Sequence, residues 1–197
     1  MEKKHIDFLY RNASARSYQI SRFSKTRNIW TLVKLYKTYI RPKLEFNTPI
    51  WSPNLLQDIT KIEKIQKTFT RYAFKKCNIP YSSYSDRLRQ INLQSLEYRR
   101  LFFDLVFMFK IINGLAGINF NAFFKYTENP YTLRGRRSKI EPNFKSFKSV
   151  WHNSFFTRGP KLWNALPEIL TTSTSLLSFK ENLKKFNLNS IQNITFK

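Results

Sequence analysis

Residues 59–75 separate apolar from basic side chains more completely than any other stretch of the sequence. On a helix that turns by about 100° per residue, one face carries the apolar residues Ile59, Ile62, Ile65, Phe69, Tyr72 and Ala73. The opposite face carries the cations Lys61, Lys64, Lys67, Arg71 and Lys75. This pattern predicts an amphipathic helix, because only a helix places residues with this spacing on two separate faces.

The basic face of this helix has two interpretations. Charged faces of helices are usually just solvated. A solvated face normally mixes both signs of charge, however, and here the single carboxylate, Glu63, lies at the edge of the face. We therefore favour contact between these cations and phosphate groups.

Other segments also predict helices, so the fold class is mostly α. In residues 29–47, apolar residues recur at helical spacing, with Lys34, Lys37 and Arg41 on another face. Pro42 should kink or end that helix. Ser52 and Pro53 predict the start of the next one, over 53–76, as N-cap and first helical residue.

Serine residues predict the starts of the later helices, and a glycine predicts the end of one of them. Ser83 or Ser85 should cap a short helix, and Gly114 should stop a longer one that begins at Ser95. That longer helix is apolar on all sides and therefore belongs to a core. Ser175 or Ser178 should begin a last amphipathic helix.

The sequence divides into four parts. Residues 1–28 are expected to be a weakly ordered basic arm or a short helix, and 29–126 a helical domain. Residues 127–188 should form a basic loop, with one or two short strands, followed by a helical extension, and 189–197 should form a frayed tail. The basic loop contains Arg134, Arg136, Arg137 and Lys139.

A net charge of +23 over 197 residues is spread along the whole chain. A compact domain with that charge repels itself unless a polyanion neutralises it, which indicates an RNA or DNA backbone as partner. An anionic membrane surface is the rival, and A/T-rich coding, which raises the Lys content, is the neutral explanation. No targeting signal or membrane-spanning run is evident, so we expect an intracellular protein, nuclear or cytoplasmic.

Catalytic motifs are absent from the sequence. No two acidic residues are adjacent, although two-metal polymerase chemistry needs close carboxylates. One cysteine, Cys77, and two histidines do not make a zinc knuckle, and four glycines do not make a phosphate-cradling loop. We therefore expect no catalytic residue, metal or cofactor.

Eight short strings, in order, resemble one protein family. They are 35–46 (LYKTYIRPKLEF), 49–53 (PIWSP), 58–67 (DITKIEKIQK), 84–88 (YSDRL), 96–100 (LEYRR), 110–114 (KIING), 162–167 (LWNALP) and 178–180 (SFK). Together they resemble the C-terminal end of the reverse transcriptase polyprotein of non-LTR (LINE-type, jockey-like) retrotransposons.

The resemblance implies a helical thumb and a post-thumb extension. Segments 29–47 and 53–76 would be thumb helices, and the basic loop would be a second RNA or DNA contact. The phosphate contacts on the two helices would be Lys34, Lys37, Arg41, Lys61, Lys64, Lys67 and Arg71. Tyr131 or Trp151 would stack on bases. In a full-length parent, the thumb would also contact the polymerase palm.

The endonuclease, fingers and palm of that family have no counterpart in this sequence. The resemblance therefore implies a truncated or domesticated fragment that binds an RNA or RNA–DNA duplex and is no enzyme by itself. The alternative is a vestigial or protein-interaction fragment of a degraded retroelement.

Overall fold

Helices make up most of the chain in the computed structural model, which describes residues 2–80, 82–127, 139–143 and 154–192. The mostly α prediction is therefore confirmed. The chain forms two compact units. Unit 1 is Met1–Thr48 with Pro53–Arg99, and unit 2 is Pro49–Ser52 with Arg100–Lys197. This division differs from the one suggested by the sequence, which placed a boundary at residue 126.

Unit 1 is built from helices among its described residues. They are α1 (Glu2–Phe23), α2 (Ile29–Leu35), a π-helical turn (Tyr36–Ile40), α3 (Arg41–Glu45), α5 (Leu56–Lys76) and α6 (Tyr84–Gln90). Two further helices, α4 (Thr48–Trp51) and α7 (Leu96–Ile112), have residues in both units.

The first 28 residues are a correction to the sequence prediction. Instead of a weakly ordered arm or a short helix, Glu2–Phe23 form a 22-residue helix that buries Ile6 and Ala13. Its contacts with α5 run in the same order along both helices. Lys61 pairs with Asp7, and the Tyr72 hydroxyl donates to the Ser21 carbonyl at 2.5 Å, so the two helices are parallel.

The helix predicted over 29–47 is interrupted one turn before Pro42. Residues Tyr36–Ile40 form a π-helical turn between α2 and α3. Proline lacks the amide hydrogen that an α-helix needs at that position, so the preceding turn changes its hydrogen bonding. The helix therefore does not end at Pro42, and the predicted disturbance appears as a change of hydrogen bonding in the turn before it.

Helix α5 begins later than predicted. Its N-cap is Leu55, whereas Ser52 and Pro53 are buried before the helix starts. The predicted cap at Ser52 is therefore wrong, because burial of this segment takes precedence over its capping preference. In contrast, the Ser83 hydroxyl accepts from the Asp86 amide at 3.2 Å and caps α6 as predicted.

Unit 2 contains a two-stranded antiparallel sheet and short helices. The elements are α8 (Phe120–Phe123), β1 (Phe124–Tyr126), β2 (Ile140–Pro142), α9 (Phe155–Asn164), α10 (Glu168–Thr171), α11 (Leu176–Lys185) and α12 (Asn189–Gln192). Asn164 extends the sheet's hydrogen bonding, because its side-chain amide bonds both the amide and the carbonyl of Ile140, at 3.0 and 2.8 Å.

Local signals set the ends of two helices as predicted. Gly114, with φ of 68°, ends α7, and the Leu115 amide donates to the Lys110 carbonyl at 2.7 Å. Ser175 caps α11 by accepting from the Ser178 amide at 3.1 Å. The tail beyond Leu188 was expected to fray, but its described part includes the buried Ile191 in α12.

Candidate nucleic-acid interface

The basic face of α5 lines a groove in unit 1. The groove, of about 550 Å³, lies beside α6 and the start of α7. Helix α5 contributes Lys64, Lys67 and Arg71 to its wall, and α6 contributes Tyr84 and Arg87. A smaller groove of about 250 Å³ adjoins it, sharing Arg71 and Arg87 and adding Lys75. We call the two together the α5 groove.

Four of the five predicted cations of α5 are exposed along this groove: Lys64, Lys67, Arg71 and Lys75. Within the described part of the chain, none of the four forms an ion pair. From Lys64 to Lys75 there are eleven helical steps, which is about 17 Å of helix. One strand of B-DNA presents about five phosphates over that length.

Lys61 does not belong to this exposed set. Its ammonium pairs with the Asp7 carboxylate and lies 5.4 Å from the ring centre of Tyr10, both on α1. Lys61 thus has a carboxylate partner within unit 1, and its contact with phosphate stays a prediction. Its place on the helix was right, but the neighbouring helix brings a carboxylate against it.

Arg41 is also engaged within unit 1. Its guanidinium lies 3.7 Å from the Glu45 carboxylate, which Arg99 also binds. Burial, and then the positive charge of Arg99, lower the pKa of Arg41. Glu45 is shared by the two guanidiniums, so the pair Arg41 and Arg99 keeps a net positive charge, and the phosphate contact of Arg41 stays a prediction.

The remaining predicted cations lie elsewhere. Lys34 is exposed on α2 and Lys37 is half-exposed in the π-helical turn, and neither lines the α5 groove. Lys139 is exposed just before β2 in unit 2. The other members of the predicted basic loop, Arg134, Arg136 and Arg137, lie outside the described residues, as do the predicted stacking residues Tyr131 and Trp151.

Arg87 is a site residue that the sequence did not reveal. It is 3% exposed, donates to the Ser82 carbonyl at 2.6 Å and lies 5.7 Å from the ring centre of Tyr84. Among the described residues, no carboxylate lies within ion-pairing distance of it. A buried cation without a counter-ion is costly, and an anion in the groove would neutralise it.

A buried hydrogen-bond network holds α5, α6 and α7 in register behind the groove. The Tyr36 hydroxyl donates to the Gln66 side-chain oxygen at 2.7 Å, and the Gln66 amide donates to the Tyr84 hydroxyl at 2.9 Å. Tyr84 in turn donates to Glu63, whose carboxylate also accepts from the Leu96 amide at 3.0 Å. The Glu63 charge is therefore engaged at the start of α7.

The two tyrosines of this network stay uncharged at neutral pH because their pKa values are raised. Burial, and then the Glu63 charge, raise the pKa of Tyr84 well above its usual range. Burial likewise raises the pKa of Tyr36. Both phenols stay protonated and remain donors at neutral pH. One further carboxylate, Glu97, lines the groove at its α7 end.

Groups suited to covalent or metal chemistry are not part of this site. Burial raises the pKa of the Cys77 thiol, which disfavours the reactive thiolate. Over the described residues, no three His, Cys, Asp or Glu side chains are grouped as a metal site. No helix there is long and apolar enough to cross a membrane.

Comparisons with known proteins add one relative. An uncharacterized protein of Caenorhabditis elegans is 30% identical over 112 residues, which is 57% of this chain and 57% of the relative. The match thus covers little more than half of that relative's length. No family model and no solved structure matches the sequence.

Proposed function

We propose that unit 1 binds the phosphate backbone of a nucleic-acid duplex, RNA or RNA–DNA, along the α5 groove. The observation that carries the proposal is the row of exposed cations from Lys64 to Lys75, which form no ion pair with any described residue and lie beside the buried Arg87. Contacts of this kind are largely independent of sequence, because they are made to phosphate groups and not to base edges.

The resemblance to the thumb region of non-LTR reverse transcriptases supports this proposal. Such a thumb grips a template–primer duplex through its backbone, and its family strings include 58–67, which supplies two of the groove cations. On this proposal the chain is a binding fragment of a reverse transcriptase, without polymerase chemistry of its own.

A salt series tests the proposal. Fluorescence anisotropy with a labelled RNA–DNA hybrid duplex is measured between about 50 and 200 mM salt. If the four exposed cations each neutralise one phosphate, the logarithm of the binding constant should fall with the logarithm of salt with a slope of about −3.6 or steeper. A slope near zero would contradict backbone binding.

A further inference from the structure

A second groove in unit 1 shares no residue with the α5 groove. It is shallow, has a volume of about 430 Å³ and lies between the C-terminal half of α1 and two residues of the next segment, the last residue of α2 and Tyr39 of the π-helical turn. Its lining includes Arg16, Gln19, Ile20, Phe23, Leu35 and Tyr39. We call it the α1 groove.

Two aromatic rings of this groove are open to solvent. Phe23 is 73% exposed and Tyr39 is 51% exposed. Large aromatic side chains usually gain free energy by burial, so two exposed rings in one groove indicate a surface that meets a partner. Flat, exposed aromatic faces are the platforms on which nucleic-acid bases stack.

The sequence that forms the groove is strongly basic, and Arg16 lines the groove itself. From Phe8 to Leu44 the sequence contains no acidic residue. The same stretch contains nine cations, which are Arg11, Arg16, Arg22, Lys25, Arg27, Lys34, Lys37, Arg41 and Lys43. An apolar groove within such a stretch attracts a chain that carries negative charge along its length and flat apolar groups at intervals.

We propose that the α1 groove binds single-stranded nucleic acid, with bases stacked on Phe23 and Tyr39 and with Arg16 beside the backbone. A single strand has both properties, because its bases are free to leave the stack while its phosphates remain charged. A duplex does not fit this groove in the same way, because its bases are already stacked on each other. The site therefore goes beyond the duplex binding proposed for the α5 groove.

The test compares two labelled single strands of equal length, a short oligothymidylate and an abasic oligomer that keeps the phosphates but lacks the bases. Wild-type protein should bind the oligothymidylate at least about tenfold more tightly than the abasic strand, since stacking contributes for each base. The double variant Phe23→Ala/Tyr39→Ala should lose that preference. Its affinity for the hybrid duplex should stay within about twofold of wild type.

A matched control removes two exposed rings that do not line the groove. Phe8 is 61% and Phe46 is 74% exposed in the same unit. The variant Phe8→Ala/Phe46→Ala should keep the oligothymidylate preference. Circular dichroism should show that both double variants retain the wild-type helix content.

Three results would overturn the α1-groove proposal. One is equal binding of the oligothymidylate and the abasic strand by wild-type protein. The second is a Phe23→Ala/Tyr39→Ala variant that keeps its preference, and the third is an equal loss in the control variant. A variant of the α5 groove, Lys64→Gln/Lys67→Gln/Arg71→Gln, should keep the preference for bases, so failure of one site is distinguishable from failure of the other.

Discussion

Replacing Arg158 by methionine is expected to lower the free energy of unfolding of unit 2 by about 3–5 kcal/mol. Asp104 is 1% exposed, and Arg158 donates to its two carboxylate oxygens at 2.7 and 3.3 Å. Arg158 also donates to the Pro49 carbonyl at 3.1 Å. Removing the guanidinium leaves a buried carboxylate without its main counter-ion, although the Arg100 charge remains nearby.

The stability lost in the Arg158→Met variant should become smaller as the pH is lowered. Burial raises the pKa of Asp104, against the lowering effects of Arg158 and Arg100. In the methionine variant the largest lowering effect is gone, so the pKa rises further. A raised carboxyl pKa means that the folded state binds the proton more tightly than the unfolded state does, and stability falls as pH rises through that window. Lowering the pH through the raised pKa of Asp104 towards the ordinary carboxyl range should therefore restore stability, by at most about 1.4 kcal/mol per pH unit.

Urea denaturation followed by circular dichroism measures both effects. The matched control is Lys161→Met, an exposed lysine on the same helix α9, which should change stability by less than about 0.5 kcal/mol. The double variant Asp104→Asn/Arg158→Met should be more stable than Arg158→Met at neutral pH, because it removes the buried charge. Equal losses in the Arg158 and Lys161 variants would contradict the role of the pair.

The second large effect is expected at Gln66, which is completely buried on α5. Gln66→Leu gives an apolar side chain of similar size but removes the acceptor of the Tyr36 hydroxyl and the donor to Tyr84. It also removes a hydrogen bond of 3.0 Å to the Gln94 carbonyl. A buried hydroxyl without a partner costs about 1–3 kcal/mol, and with the other lost bonds we expect about 2–4 kcal/mol of destabilisation.

A double-mutant cycle distinguishes the loss of the hydrogen bond between Tyr36 and Gln66 from a loss of packing. Tyr36→Phe removes the hydroxyl that Gln66→Leu leaves unpaired, so the two changes together should cost at least about 1 kcal/mol less than their sum. Gln57→Leu, the same substitution at an exposed position of α5, is the control. Strict additivity of Tyr36→Phe and Gln66→Leu would contradict the proposed network.

Local signals made much of the fold predictable. Helix α5, the stop at Gly114 and the caps at Ser83 and Ser175 depend on residues a few positions apart, and their patterns can be read directly. Helix α1 was not predicted at its full length because its apolar residues are less clearly gathered on one face than those of α5. Its buried Ile6 and Ala13 belong to a helix that packs on α5, and sequence spacing alone does not show that partner.

The helix face that forms the candidate site could be predicted from the sequence, but the residues that pair with the predicted cations could not. The face of α5 follows from helical periodicity, and four of its cations lie where the pattern placed them. Lys61 pairs with Asp7, which is 54 positions away in the sequence. Arg41 shares Glu45 with Arg99, and Glu45 and Arg99 are also 54 positions apart. Such pairs depend on tertiary packing, as does the burial of Arg87 beneath the groove.

The most direct test of the central claim compares two triple variants that each lose three positive charges. Lys64→Gln/Lys67→Gln/Arg71→Gln neutralises the α5 groove, and Lys161→Gln/Lys184→Gln/Lys185→Gln neutralises exposed lysines of unit 2. In the hybrid-duplex salt series, the groove variant should bind about a hundredfold more weakly at low salt, with a slope less steep by about 2.7, while the control stays close to wild type. Equal weakening of both variants, or wild-type binding by the groove variant, would contradict the assignment of the α5 groove as the duplex-binding surface.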